Sequence, residues 1–289
     1  MNDYNDVMII RSDKIEKVGT GTIIQHGKLN DRIYLMKLHK RDVAEICNIL
    51  SDIALNNKYG KIFCKIPKKV APLFFADGYH LEAQIPGFYN RTEDVFFVSK
   101  FLNSYRTRNI ETDKLESLHI LLKEEKIRAS QKPLPKSYNI RRLYKSDTAG
   151  ITAIYREVFE SYPFPIHDEA YIAQTMDENV QYFGVEADGK LAALSSSEID
   201  FKGKNAEMTD FATSAKFTGK GLSLHLLAEM EKHMAKQDIT TLYTIARLNS
   251  VPMNKTFIRG GYVYSGTLIK NTNISGNIES MNVYYKHIS

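Results

Sequence analysis

Two glycines flank a lysine in Gly219-Lys220-Gly221, between a run with strand character (206–213) and the apolar positions Leu222, Leu226, Leu227 and Met230 at helical spacing. A helix that starts there leaves its first N–H groups unpaired and turns the positive end of its dipole toward the loop. Glycine has no Cβ, so a ligand can approach the backbone closely, and Lys220 adds a mobile cation. The combination suits a pyrophosphate. Two other phosphate motifs are excluded. The loop is too short for a Walker A cradle and lacks its Lys-Ser/Thr end. Leu224 stands where a dinucleotide fingerprint needs its third glycine.

The elements that position this loop follow a regular pattern from residue 138 onward. A strand at 138–143 precedes a helix opened by Ser146-Asp147, with Ile151, Ile154, Tyr155, Val158 and Phe159 on one stripe. Ser161-Tyr162-Pro163-Phe164-Pro165 breaks the chain before a helix at 167–176. Strands at 180–186 and 191–199 flank the turn Asp188-Gly189, and a turn at 202–205 leads to the strand 206–213. A helix at 222–236, a strand at 240–247, a helix at 252–259 stopped by Gly260-Gly261, and strands at 262–269 and 281–287 complete the order. The succession β-α-α-β-β-β-α-β-α-β-β predicts a mixed central sheet flanked by helices, of the α/β (α+β) class.

The Pro- and Ser-containing segment 128–138, preceded by a helix at 112–127, reads as the boundary of an N-terminal α/β domain. The expected organisation is a domain at 1–130, a linker at 131–137 and a domain at 138–289. The first domain has strands at 62–66, 79–85 and 95–102 and a short helix at 70–76. Phe74 precedes Gly78-Tyr79 as Phe257 precedes Gly261-Tyr262, which suggests a degenerate copy of the second half of the C-terminal fold.

A net charge of +5, with Lys and Arg scattered through both halves, is not the footprint of a dedicated nucleic-acid binder. Cys47 and Cys64 are the only cysteines, and no CxxC or other metal-ligand spacing occurs, so both read as free thiols of a cytoplasmic protein without a metal. The acidic start Met1-Asn2-Asp3-Tyr4-Asn5-Asp6 does not look like a secretory signal, and no run of about 18 apolar residues predicts a membrane span.

The strand–loop–helix segment resembles motif A of the GNAT superfamily, Q/R-x-x-G-x-G/A, with Thr218, Gly221 and Ser223 at the matching positions. Thr218 and Ser223 depart from the usual types but remain small. The resemblance implies acetyl-CoA as acetyl donor. It places Phe211, Ala212 and Thr213 on a splayed strand against the pantetheine arm, Thr218, Gly219, Lys220, Gly221, Leu222 and Ser223 around the pyrophosphate, and Asn249 and Asn254 on the cofactor's other side. In the histone-acetyltransferase branch a glutamate base stands where Glu207 does. The reaction needs such a base, because an ammonium with a pKa of about 10.4 must lose its proton before it attacks a thioester. Asp210 is the rival, facing the opposite side of a regular strand unless a bulge intervenes. The tyrosine that often protonates the leaving thiolate is replaced by Phe257, leaving Tyr264, Tyr284 and Tyr285 as substitutes.

The runs Glu82–Tyr89, 266–271 and 279–286 extend the resemblance over nearly the whole chain, to the putative β-lysine N-acetyltransferase family. That resemblance implies a small diamino-acid acceptor, Nε-acetyl-β-lysine as a compatible solute, and a functional link to a lysine 2,3-aminomutase. Candidate acceptor residues are Glu157, Glu160, Asp168, Glu198, Glu279 and Arg247, with Tyr162 and Phe164 in the loop between the first two helices. A protein or peptide lysine acetyltransferase and a non-catalytic acyl-CoA-binding module are the alternatives.

Overall fold

The computed structural model describes residues 13–108, 110–127 and 133–289; the acidic N-terminal stretch and residues 128–132 of the boundary segment lie outside them. In chain order the first sheet contains β1 (Lys14–Val18), β2 (Thr22–Gly27) and β3 (Arg32–Lys37). After α1 (Ile46–Asn57) come β4 (Lys61–Pro67), α2 (Ala71–Ala76), β5 (His80–Tyr89) and β6 (Glu93–Phe101), then α3 (Tyr105–Arg108) and α4 (Thr112–Glu124). The second sheet begins with β7 (Tyr138–Leu143), α5 (Thr148–Val158) and α6 (Glu169–Asp177). It continues through β8 (Val180–Ala187), β9 (Lys190–Asp200), β10 (Asn205–Thr213), α7 (Leu222–Ala235), β11 (Thr241–Arg247), α8 (Val251–Arg259), β12 (Val263–Ile274) and β13 (Asn277–His287). From β7 on, this is the element order that the sequence predicts.

The second sheet has the order β12-β13-β11-β10-β9-β8-β7, and every neighbouring pair is antiparallel except β10 with β11. The first sheet has the order β1-β2-β3-β4-β6-β5, antiparallel except β3 with β4. Strand for strand, β1 to β6 therefore repeat the topology of β8 to β13. The likeness extends to side chains. Phe74 meets Tyr79 edge-on at 5.1 Å and Phe257 meets Tyr262 edge-on at 5.2 Å. In each pair the tyrosine N–H donates to the phenylalanine carbonyl across a glycine in the left-handed region, Gly78 or Gly261. The first three strands and α1 escape sequence reading because polar residues interrupt the alternation: Gln25, His26 and Arg32 are all buried there.

Alternation along β11 and β13 explains how the second sheet is covered. Leu242, Ala246 and Tyr284 face α7 and α8, where Leu226, Leu227, Met230 and Phe257 close a core. Tyr243, Met281 and Val283 face the other way and pack on Tyr34, Phe63, Phe88 and Phe97 of the first sheet. At the far end of that face α5 and α6 cover β7 to β9 through Ile151, Tyr155, Ile172 and Leu194. Between these two covers, the middle of the face over β9–β11 stays open.

Buried polar groups lock the seam. The Lys61 ammonium pairs with Glu82 at 2.9 Å and donates to the Ile269 carbonyl at 2.7 Å, while Glu82 accepts the Ile269 N–H at 2.8 Å. Arg106 and Arg32 donate to the carbonyls of Lys270 and Asn271. At Gly266 the strands approach so closely that a Cβ would lie 2.1 Å from the Glu82 carbonyl oxygen. The β12–β13 hairpin turns at Ser275-Gly276, both at positive φ, which makes both strands longer at this end than the sequence predicts. Among the described residues no helix is long and apolar enough to cross a membrane.

Candidate active site

Strands β10 and β11 pair only over Asn205↔Thr241, Ala206↔Leu242 and Glu207↔Tyr243. Beyond that point β11 continues on β13 to Arg247 and β10 continues on β9 to Thr213, so a wedge opens between them. Glu207 stands at its apex, and Phe211, Ala212 and Thr213 run along one side. The loop after β10 ends at α7, whose N-cap is Gly221 with no side-chain cap. Gly219 and Gly221 lie at φ +79° and +74°, and among the described residues nothing beyond their immediate chain neighbours stands within 4 Å of the Cβ either would carry. The positive φ explains glycine at both positions, and the space beside both is open. Lys220 is folded back, its ammonium on the Tyr138 hydroxyl at 2.9 Å and over the Phe217 ring. Thr218 donates to the Ala215 carbonyl at 2.9 Å, Leu222 is buried and Ser223 half-buried.

On the other side of the wedge Asn249 is exposed in the turn before α8. Asn254 is buried and committed. Its amide donates to the carbonyls of Arg247 and Ser250 at 3.0 and 2.9 Å, and its oxygen accepts from Asn282 and Tyr284, both at 2.8 Å. It shapes the turn, with no polar atom left for a ligand. Two of the substitute tyrosines are also engaged: Tyr284 on Asn254, and Tyr264 sharing a hydrogen bond with Thr267 at 2.6 Å. Phe257 sits edge-on to Phe211 at 5.6 Å.

A bulge does intervene in β10. The register passes from Thr209↔Ser196 to Ala212↔Leu194, leaving Asp210 and Phe211 opposite one residue, and Asp210 adopts φ +54°. The bulge turns the Asp210 carboxylate to the side of Glu198 and Glu207. There Ser196 donates to it at 2.7 Å, Tyr162 donates to its other oxygen, and Thr209 contributes at 3.3 Å. Glu207 and Glu198 are direct cross-strand partners, so they share a face. Three carboxylates therefore gather, the bulge bringing Asp210 to the side of Glu198 and Glu207.

Glu198 and Asp210 lie at the floor of a cavity of about 720 Å³ between the two sheets. Glu198, Asp210 and Tyr243 form the floor; Phe164 and Tyr171 come from the α5–α6 side; Met36, Lys65 and Phe88 come from the first sheet. Glu207 sits beside the floor rather than in the lining. Gln25 of β2 donates to the Pro163 carbonyl at 3.1 Å and so ties the first sheet to the loop that carries Phe164.

Burial pushes all three carboxyls above their ordinary values. For Glu207 the Lys65 ammonium and the Tyr243 hydroxyl oppose the rise, while Asp210 adds to it. For Asp210 the three hydroxyl donors oppose it. Glu198 has no donor to help it and lies against Glu207 and Asp210, which drive it up further, to about 8. Its side chain is open to the water of the cavity, which screens part of this effect. A proton shared within such a cluster makes one carboxyl an acid and its neighbour a base.

The other candidate acceptor residues do not reach the cavity. Arg247 and Glu279 pair with each other at 2.6 Å, Asp168 caps α6, and Glu157 binds Ser214 and the Ala215 N–H; Glu160 is exposed and outside the lining. Sequence reasoning missed Lys65, Met36, Phe88 and Tyr243. A lysine inside the apolar run 62–66 was the available signal for the first.

Residues 151–258 match the family model described as the acetyltransferase (GNAT) family. A beta-lysine N(6)-acetyltransferase of Methanococcus maripaludis is 40% identical over 92% of this chain and 96% of its own. The chain belongs to the GNAT acetyltransferase family. A beta-lysine N(6)-acetyltransferase of Methanosarcina mazei is 30% identical over 83% of this chain and 96% of its own. The ribosomal-protein-S18-alanine N-acetyltransferase of Escherichia coli, a solved structure, shares 18% identity with a TM-score of 0.47 over 53% of this chain and 94% of its own. As a GNAT member the protein is an acetyl-CoA-dependent N-acetyltransferase.

Proposed function

We propose that this protein transfers the acetyl group of acetyl-CoA to the Nε amine of β-lysine, giving the compatible solute Nε-acetyl-β-lysine in the cytoplasm. The observation that carries the reading is the cavity of about 720 Å³ with Glu198 and Asp210 on its floor and Glu207 beside it at the β10–β11 wedge. Its volume lies in the range of small-molecule sites. Its charge favours an acceptor with two ammonium groups. Met36, Lys65 and Phe88 of the first sheet wall one side of it, which narrows the space for a protein tail. The likeness to two beta-lysine N(6)-acetyltransferases supports the same acceptor.

In this reading the backbone of Phe211, Ala212 and Thr213 pairs with the pantetheine arm, and residues 218–223 wrap the pyrophosphate. Asn249 flanks the cofactor, and Asn254 acts through the turn it holds. Glu207, at the apex, takes the proton from the reacting ammonium, directly or through water. The two topologically repeated units, residues 1–130 and 138–289, act as one enzyme because the acceptor site lies between them. A lysine 2,3-aminomutase supplies the acceptor, and neither nucleic acid nor membrane takes part.

The test is thiol release from acetyl-CoA with purified protein, comparing β-lysine, α-lysine and a lysine-containing peptide. Preference for β-lysine, lost in Glu207→Gln, is the expected result. Preference for the peptide overturns the acceptor assignment. Cofactor binding without turnover on any amine overturns the enzymatic reading.

A further inference from the structure

The acceptor of the proposed reaction carries a carboxylate as well as two ammonium groups, and a floor of carboxylates cannot bind it. Among the described residues three lysines and no arginine line the cavity: Lys37, Lys65 and Lys202. Lys37 and Lys202 are exposed, whereas Lys65, on β4, is half-buried. Its ammonium donates to the Tyr243 hydroxyl at 3.0 Å and lies against the Tyr243 ring. Among the described residues no carboxylate stands within salt-bridge distance of it. The contrast with Lys61, four residues earlier on the same strand, is informative. Lys61 is fully buried and compensated by Glu82 at 2.9 Å. A half-buried ammonium has three donors to satisfy, and here one meets a neutral phenol. An anionic ligand in the cavity would satisfy the others.

We infer that Lys65 is the specificity-determining residue for the acceptor's carboxylate, so that the first sheet selects an amino acid over a simple diamine. This inference rests on the proposed acetyl transfer to a small diamino acid. With one proton on the floor, the three carboxyls and Lys65 sum to one negative charge. That complements an acceptor with two ammonium groups and one carboxylate. A polyamine without a carboxylate would leave the Lys65 ammonium facing its own cations, which acts against it.

The experiment compares kcat/KM for β-lysine and for its decarboxylated counterpart, 1,4-diaminopentane, in the wild type, Lys65→Met and Lys65→Arg. A charge-assisted hydrogen bond of ordinary strength predicts that Lys65→Met loses about 10- to 100-fold on β-lysine, chiefly in KM. On the diamine it should hold or gain. Lys65→Arg should recover most of the β-lysine activity, and thermal unfolding should place all three proteins within a few degrees of one another. Equal loss on both acceptors with a shifted pH profile would overturn the inference, because Lys65 would then act through Tyr243 on Glu207. No loss on either would overturn it too. Should the wild type prefer another amino acid, the same comparison between that amino acid and its decarboxylated amine still tests Lys65, so the acceptor assignment and the role of Lys65 fail separately.

Discussion

Replacing Glu198 by glutamine should stabilise the protein at alkaline pH and leave it unchanged at acidic pH. Glu198 and Glu207 are directly opposite on β9 and β10, with Asp210 turned toward them by the bulge. Cross-strand partners place their Cβ atoms about 5 Å apart. Two negative charges at about that distance repel by roughly 1–3 kcal/mol for an effective dielectric between that of water and that of a protein surface. Burial, and after it the charges of Glu207 and Asp210, keep a proton on Glu198, whose value rises from 4.5 to about 8, with the Lys65 ammonium opposing. Folded Glu198 thus binds its proton more tightly than the unfolded chain does. Its contribution is fully present below the unfolded value and is lost as pH rises toward 8. Glutamine mimics the protonated form at every pH. The difference in unfolding free energy between Glu198→Gln and wild type should therefore be near zero below the unfolded value of 4.5, open as pH rises above it, and reach about 1–3 kcal/mol in favour of the variant at pH 9. For a chain of this size that is a rise of roughly 3–10 °C in Tm. Urea unfolding of both proteins at five pH values measures it. A difference that stays flat from pH 5 to 9 would refute the reasoning, because the repulsion would then be absent or fully screened by cavity water.

Glu207→Gln should lower kcat by about 10²- to 10⁴-fold with little change in the KM for acetyl-CoA, the range for removing a general base; steady-state kinetics with saturating acceptor reads it. Because burial raises the Glu207 value, the wild-type rate should fall as pH drops through a value above the ordinary carboxylate range, and a pH–rate profile checks the limb. Gly221→Val should raise the KM for acetyl-CoA at least several-fold, since a β-branched residue strains at φ +74° and its side chain enters the space left for the phosphate. Gly266→Val should loosen the seam between the sheets, where even a Cβ meets the Glu82 carbonyl oxygen at 2.1 Å; a loss of some 2 kcal/mol or more is expected, measured by denaturant unfolding. Residues 133–289 produced alone should aggregate, because Tyr243, Leu268, Met281 and Val283 would be bared to water; light scattering decides it.

Residues that act within ten or twenty positions of one another were legible in the chain itself. The eleven elements from β7 to β13, the loop that ends in Gly221, and Glu207 on the strand before it all follow from periodicity, turn chemistry and helix-terminus electrostatics, with the GNAT resemblance to join them. The Phe-Gly-Tyr echo between residues 74–79 and 257–262 marked the repeated topology. Those signals are local, and local physics writes them into neighbouring residues. The acceptor side was not legible in the same way. Arg247, Glu279, Asp168 and Glu157 have the right charges but find partners of their own, and Asn254 spends its amide on the turn it holds. Lys65 and Phe88 lie far along the chain from Glu198 and Asp210, and nothing in a one-dimensional pattern ranks that meeting above others. Strand alternation also argued against Asp210 until a bulge with a left-handed residue reversed it. The sequence alone determined the loop and helix proposed for the cofactor, because both are local to one stretch of chain. Only the packing of the first sheet on the second decided the cavity proposed for the acceptor, because it exists between two surfaces and belongs to neither.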